Sequence, residues 1–117
     1  MDEILESILS SIKKLLGPEE DYDHFDADII FHINSVLSDL NSIGIGPEEG
    51  FVISDETAKW SDFIGKDVKK FENIKEYVYL SVKLIFDPPT NASLLASMQS
   101  KHDKLEWKLN AIGESEV

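Results

Sequence analysis

Apolar side chains recur every three or four residues along most of the chain, the spacing that places them on one face of an α-helix. The first such stripe ends at Gly17-Pro18, and a second runs from Phe25 to Leu40, with Gly44 as its C-cap. A third segment, FENIKEYVYLSVKLIF from Phe71, leaves little polar face, so we expect it to be the central, most buried helix. The first stripe consists of Ile4, Leu5, Ile8, Leu9, Ile12, Leu15 and Leu16.

The segment between the second and third helices has a different pattern. Residues 45–57, IGPEEGFVISDET, combine glycine and proline with a brief β-branched run, which predicts a loop with a short strand at Phe51 to Ile53. The following AKWSDFI predicts a short helix that buries Trp60 and Phe63 and ends at Gly65.

Two consecutive prolines interrupt the chain after the third helix. Asp87 precedes Pro88 and is therefore pushed out of the α region, and Pro88 and Pro89 each fix φ and lack an amide donor, so a helix arriving through Phe86 must end. Thr90 or Asn91 can cap a new helix. The sequence predicts a stiff elbow at Asp87, Pro88 and Pro89 between two helices.

The last helix carries a heptad-like seam and is expected to end near Gly113. This seam either packs on the third helix, the commoner outcome, or leaves part of itself free to dock on a neighbouring chain. Trp107 falls off the seam and is a candidate interface anchor. The seam consists of Leu95, Met98, His102, Leu105, Leu109 and Ile112.

These elements predict an all-α fold: a compact bundle of four to five helices, with a mid-chain loop and a C-terminal helix after the elbow. A length of 117 residues suits one domain, spanning 1–117. The chain contains no cysteine, which excludes a disulfide framework, a thiolate zinc site and a cysteine nucleophile. Its acidic start is unlike a signal peptide, and no apolar run is long enough to span a membrane, so we expect a soluble, unsecreted protein.

Charge is distributed unevenly. Residues 1–56 hold 14 acidic side chains against two lysines, whereas residues 57–117 hold nine of each, so the first part accounts for the net charge of −12. Arginine, the side chain best suited to forked contacts with phosphate and guanine, is absent, which argues against a sequence-specific nucleic-acid reader. The densest acidic run comprises Glu19, Glu20, Asp21, Asp23, Asp26 and Asp28.

No residue pattern points to catalysis or to a cofactor. His24, Asp28 and His32 share a helix face and could ligate zinc, but a solvated face is the favoured interpretation because no fourth ligand converges on them. The acidic run lacks the central glycine and terminal glutamate of an EF-hand loop. No GxSxG, HExxH, P-loop or GxGxxG motif is present, so we predict a protein that is not an enzyme and has no cofactor or metal.

Two stretches resemble the small head-tail connector proteins of long-tailed bacteriophages, also called adaptor or head-completion proteins. They are EYVYLSVKLIFDPPTNASLL and KLEWKLN, and the earlier LNSIGIG and KWSDFIG are similar to the same family, so the resemblance covers nearly the whole chain. The diproline block is its most specific part. The matching positions are Tyr77, Val78, Val82, Lys83, Leu84, Phe86, Asp87, Pro88, Pro89, Glu106, Lys108, Leu109 and Asn110.

The resemblance implies a virion structural protein of the neck, assembled in the host cytoplasm. Its subunits would form a homo-oligomeric ring, dodecameric in the virion and monomeric when free. The ring would lie beneath the portal protein, contact a tail or head-closure protein, and extend a channel through which DNA passes, with no membrane contact.

Residue positions suggest how such a ring would be built. The acidic run is expected to face the channel, where carboxylates repel phosphate. The candidate subunit or portal interface comprises Trp107, Leu105, Leu109, Phe51 and Ile53. Two alternatives stay open: an acidic helical regulator or DNA-mimic inhibitor that binds a basic protein, and a small hydrolase.

Overall fold

The computed structural model describes residues 2–17, 25–65 and 68–115, and within these ranges every regular element is a helix. The predicted all-α fold is confirmed. Two 3-10 turns, Asp2–Leu5 and Val68–Lys70, precede α1 and α4. The α-helices are α1 (Ile8–Leu16), α2 (Asp26–Ser42), α3 (Trp60–Ile64), α4 (Phe71–Phe86) and α5 (Ala92–Ser115).

The first apolar stripe forms two elements, where the sequence predicted one continuous helix. Its 3-10 turn ends at Leu5, and α1 begins at Ile8. Ser7 has an extended backbone and its hydroxyl accepts the Ser10 amide at 3.1 Å, which satisfies one of the amides that a helix start leaves without a partner. The three- and four-residue spacing continues through the break, from partly buried Ile4 to buried Ile8 and Ile12, so the spacing alone does not reveal it.

Helix α4 is the centre of the core, as predicted, since it packs against α1, α2 and α5. Ile74, Val78 and Val82 are fully buried along it. The prediction was wrong at its C-terminal end, where Ile85 is 61% exposed. Phe86 in the same turn packs against Phe25 at the start of α2, so the last turn of α4 is covered on one side and exposed at Ile85.

The short helix α3 is anchored from inside the core, and the predicted burial of Trp60 and Phe63 is confirmed. Trp60 is fully buried, and its indole N–H donates to Ser11 Oγ at 2.7 Å. That bond satisfies a donor that would otherwise cost free energy to bury. An isolated bridge between Ser7 and Lys59 further joins the start of α1 to the start of α3.

The loop of residues 45–57 lies against the bundle without forming the predicted strand. Asn34 of α2 takes the place of a strand partner: its side-chain oxygen accepts the Ile53 amide at 2.7 Å and its side-chain nitrogen donates to the Ile53 carbonyl at 2.9 Å. Ile53 is buried as a result. The β-branched run is thus paired with one side chain, and no second strand lies beside it in the described part of the chain.

Candidate assembly surfaces

The elbow has the geometry that its sequence predicts. Helix α4 ends at Phe86, and Asp87 leaves the helical region with φ −149° and ψ 65°. Its carboxylate accepts from Lys83 Nζ at 2.9 Å, one helical turn back. Of the two predicted caps, Asn91 is the one used, because its side-chain oxygen accepts the Leu94 amide at 2.9 Å.

Helix α5 returns from the elbow to pack along α4 through its heptad seam. Leu105 and Leu109 are buried there, so the structure places these two predicted interface residues in the subunit's own core. His102 lies between the helices: its ring stacks on Tyr77 at 4.9 Å between centroids, and its Nε2 is 3.0 Å from Ser81 Oγ. The commoner outcome for the seam is the one observed.

Trp107 lies outside the core, as its position off the seam predicts. Its side chain is 74% exposed, although it is the largest apolar side chain in the helix. Together with Lys104, Lys108 and Asn73 it borders a shallow depression between α4 and α5. Trp107 is therefore available to a partner in a way that Leu105 and Leu109 are not.

The loop contributes an exposed apolar side chain, Val52, that the sequence analysis missed. Phe51 is half-buried against Phe63, with ring centroids 5.4 Å apart, and Ile53 is buried, so two further predicted interface residues point into the subunit. Val52 between them is 73% exposed. Alternation along an extended segment was the available signal, because successive side chains there point in opposite directions.

A second missed surface is aromatic and lies where α2 begins and α4 ends. Phe25 packs edge-on against Phe86 at 5.5 Å, and His32 lies 6.2 Å from the same ring. Phe31 is 70% exposed beside His32. This surface combines residues distant in sequence, so helical periodicity alone does not predict it.

The acidic run is described only at its end, and Glu19, Glu20, Asp21 and Asp23 lie outside the described residues. Asp26 is bound to Lys13 Nζ at 2.8 Å, which joins the start of α2 to α1. Asp28 is exposed. Of these two acids in the predicted channel-facing patch, Asp26 has its charge compensated within the subunit, whereas Asp28 is presented to solvent.

The candidate histidine cluster from the sequence is only partly described. His24 lies outside the described residues, and the His32 ring contacts aromatic side chains. A different group, His102, Asp103 and Glu106, brings potential ligand atoms within 4.8 Å of one another in the described part of the chain. His102 already contacts Ser81 through Nε2 and Asp103 through Nδ1, so its ring is satisfied by protein atoms.

The family model described as phage connector protein matches residues 8–116, which is nearly the whole chain. The chain belongs to the phage connector protein family. It is thus a head-tail connector and a structural component of the virion, associated with other phage head or tail proteins. The family is one of structural proteins.

Two other comparisons gave no further relatives. No curated protein and no solved structure matched the connector chain. Among the described residues, no helix is both long enough and apolar enough to cross a membrane. The surfaces described above are therefore interpreted from the connector's own geometry.

Proposed function

We propose that copies of this connector form a ring at the portal vertex, where the ring joins the DNA-filled head to the tail and extends the DNA channel. The observation that carries the proposal is the family match over residues 8–116, which includes the elbow and all of α5. A ring of identical subunits uses two different patches on each copy, and it closes only if the angle between the patches is fixed. The elbow and the packing of α5 on α4 supply such a fixed angle.

The exposed apolar side chains are consistent with an assembly role. Trp107, Val52 and Phe31 are each at least 70% exposed and lie on α5, the loop and α2 respectively. Single exposed apolar residues are common on monomers, but a large aromatic side chain is a frequent anchor of interfaces. We assign Trp107 and Val52 to contacts with a neighbouring subunit, the portal or the tail.

Residues 1–117 act as one domain in this proposal. One apolar cluster supports it, because that cluster joins side chains from all five α-helices. Each α-helix contributes buried side chains to this cluster, so a subunit would move as one body when it docks.

Acidic groups of the first part of the chain line the channel in this proposal. The net charge of −12, all of which comes from residues 1–56, supports this placement. Carboxylates repel DNA phosphates over about 8 Å at physiological salt, whereas a basic lining would gain affinity by counterion release and retard the genome. Electron cryomicroscopy of the assembled neck tests this, and an Asp28 that faces away from the lumen in every subunit would refute it.

Mass spectrometry of purified particles tests the main proposal. We expect the chain to be present at low copy relative to the capsid protein, and particles made without it to be filled heads that lack tails. Normal tailed particles without the chain would overturn the proposal. Salt-sensitive one-to-one binding to a nucleic-acid-binding protein, together with absence from particles, would favour the acidic-regulator alternative.

A further inference from the structure

Helix α5 separates its exposed charges onto two opposite flanks. Lys101, Lys104 and Lys108 follow one another at spacings of three and four residues and therefore share one side of the helix. Glu106 lies on the other side, because two residues advance a helix by about 200°, which places it roughly opposite Lys104. We call these the basic flank (Lys101, Lys104, Lys108) and the acidic flank (Glu106); Asp103 lies beside Trp107 at the depression that the basic flank borders.

The basic flank has charge to offer a partner. Lys101 is bound to Glu76 of α4 at 2.8 Å, so its charge is partly compensated. Lys104 and Lys108 are exposed, and among the described residues neither has an ion-pair partner. Beside them, exposed Trp107 provides apolar area at the same depression between α4 and α5.

The acidic flank borders a groove between α2 and α5. Asp39 of α2 faces Glu106 of α5 across this groove, and Tyr77 of α4 lies at its floor. Burial and the charges of Glu106 and Asp39 raise the pKa of the Tyr77 hydroxyl, which agrees with the closeness of the three groups. Asp39 and Glu106 are both exposed, and in the described part of the chain neither forms an ion pair, so the groove presents negative charge.

We propose that the basic flank of α5 in one subunit docks into the acidic groove of the next subunit. The occupant of the groove is thus a second copy of this chain, and the inference rests on the proposed ring. Rotation around a ring keeps every copy in the same orientation, so the two sides of a subunit must differ and fit each other. The two flanks do so in charge, whereas a two-fold pair that set like flanks together would be repelled.

Engineered disulfides test the pairing, since the chain contains no cysteine of its own. The variant combines Lys104→Cys with Glu106→Cys, and its two thiols cannot join within one helix because residues two apart do not face each other. Oxidation of particles that carry it should yield a ladder of covalent multimers on a non-reducing gel. Particles carrying either single variant should yield monomer only. In the proposed contact, position 104 of one subunit lies against position 106 of the next, so a single cysteine has no second cysteine beside it.

A matched control combines Lys104→Cys with Lys14→Cys. Lys14 is an exposed lysine on α1, and it should give no ladder. A ladder in this control, a dimer from either single variant, or no ladder from the Lys104→Cys/Glu106→Cys particles would overturn the docking proposal. If the chain is present in particles but shows one of these results, the docking fails and the ring stands. If the chain is absent from particles, both fail.

Charge exchange gives a second readout that needs no thiol chemistry. Reversing the charge of the basic flank with Lys104→Glu and Lys108→Glu should reduce the yield of tailed particles at least tenfold. A tenfold change in an equilibrium corresponds to about 1.4 kcal/mol. Adding Asp39→Lys and Glu106→Lys to the same chain should restore most of that yield. No loss on reversal, or no recovery on exchange, would contradict the pairing.

Discussion

Single residues determine how closely the mid-chain loop approaches the core. Gly46 has φ +90°, and a Cβ built on it would lie 2.4 Å from Phe63 Cε1. Phe63 is 1% exposed, so its ring has no solvent to move into. Asn41 completes the turn by donating to the Pro47 carbonyl at 2.6 Å. The position of the loop therefore depends on the close approach of Gly46 to Phe63 and on the hydrogen bond from Asn41 to Pro47.

Replacing Gly46 with alanine should destabilise the connector by roughly 2–5 kcal/mol, because a positive φ and an overpacked contact are both imposed. Gly50→Ala is the matched control: Gly50 has φ +99°, but nothing lies within 4 Å of its added Cβ. Urea unfolding of both variants should separate the packing cost from the backbone cost. Equal urea midpoints for the two variants would show that the Phe63 ring shifts to accommodate the added methyl group, which would contradict the prediction.

Tyr77 makes stability depend on pH in the alkaline range. Burial of the side chain, then the charges of Glu106 and Asp39, raises its pKa above the ordinary value of 10.0. The folded protein therefore keeps the proton longer than the unfolded chain does, so stability is fully present below pH 10.0 and is lost as pH rises from there through the folded pKa.

Tyr77→Phe should remove this part of the alkaline loss while it keeps the ring against His102. Unfolding free energies of the two proteins, measured at a series of pH values, should converge as the pH rises above 10, relative to their difference at pH 8. Lysines titrate in the same range, but they do so in both proteins. Parallel pH profiles would contradict the prediction.

At the scale of elements, the elbow and the seam of α5 both fix the angle between α4 and α5. The prolines restrict the connection, the Lys83–Asp87 ion pair closes the end of α4, and Asn91 starts α5. The buried Leu105 and Leu109 then hold the helix along its length. The elbow thus determines where α5 starts, and the seam determines where it lies.

Pro88→Gly combined with Pro89→Gly should lower the free energy of unfolding by about 1–2 kcal/mol, mainly by adding freedom to the unfolded chain. Circular dichroism should show unchanged helix content because the seam remains. The yield of tailed particles should fall, since the ring needs the fixed angle. Pro47→Gly in the loop is the control for added freedom alone, and an equal yield from both variants would show that the elbow has no role in assembly.

At the scale of the whole molecule, the core and the candidate contacts occupy separate residues. The core is one cluster centred on α4, whereas Trp107, Val52 and Lys104 extend from its outside. Substitutions on the outer surface can therefore change assembly without changing folding. A loss of assembly in a surface variant can therefore be attributed to the lost contact and not to unfolding.

Trp107→Ala should change the unfolding free energy by no more than about 0.5 kcal/mol, because the side chain is 74% exposed. The same variant should reduce the number of infectious particles at least about tenfold, because a large aromatic anchor is lost from an interface. Leu94→Ala, which removes another exposed apolar side chain of α5, is the matched control. Normal infectivity of Trp107→Ala particles would exclude Trp107 from the interface.

The sequence alone predicted most of the helices and the elbow. Helical period and proline geometry are local properties, so they were readable at Phe71 to Phe86 and at Asp87 to Pro89 without knowledge of the rest of the chain. The same local patterns gave wrong predictions at positions whose structure depends on contacts between residues distant in sequence. One such position is Ile53, whose backbone is hydrogen-bonded to the Asn34 side chain and not to a neighbouring strand. Another is Leu105, which is buried against α4 and is therefore not exposed to a partner.

Which charges face one another depends on how the helices pack. Glu76 compensates Lys101, whereas Asp39 adds to the negative charge of Glu106 across the groove. Both outcomes depend on the angles at which α2 and α5 cross α4, and those angles result from many long-range packing contacts summed over the core. The spacing of charges along α5 places its lysines and Glu106 on different sides, but only the packing of α2 beside α5 brings Asp39 next to Glu106.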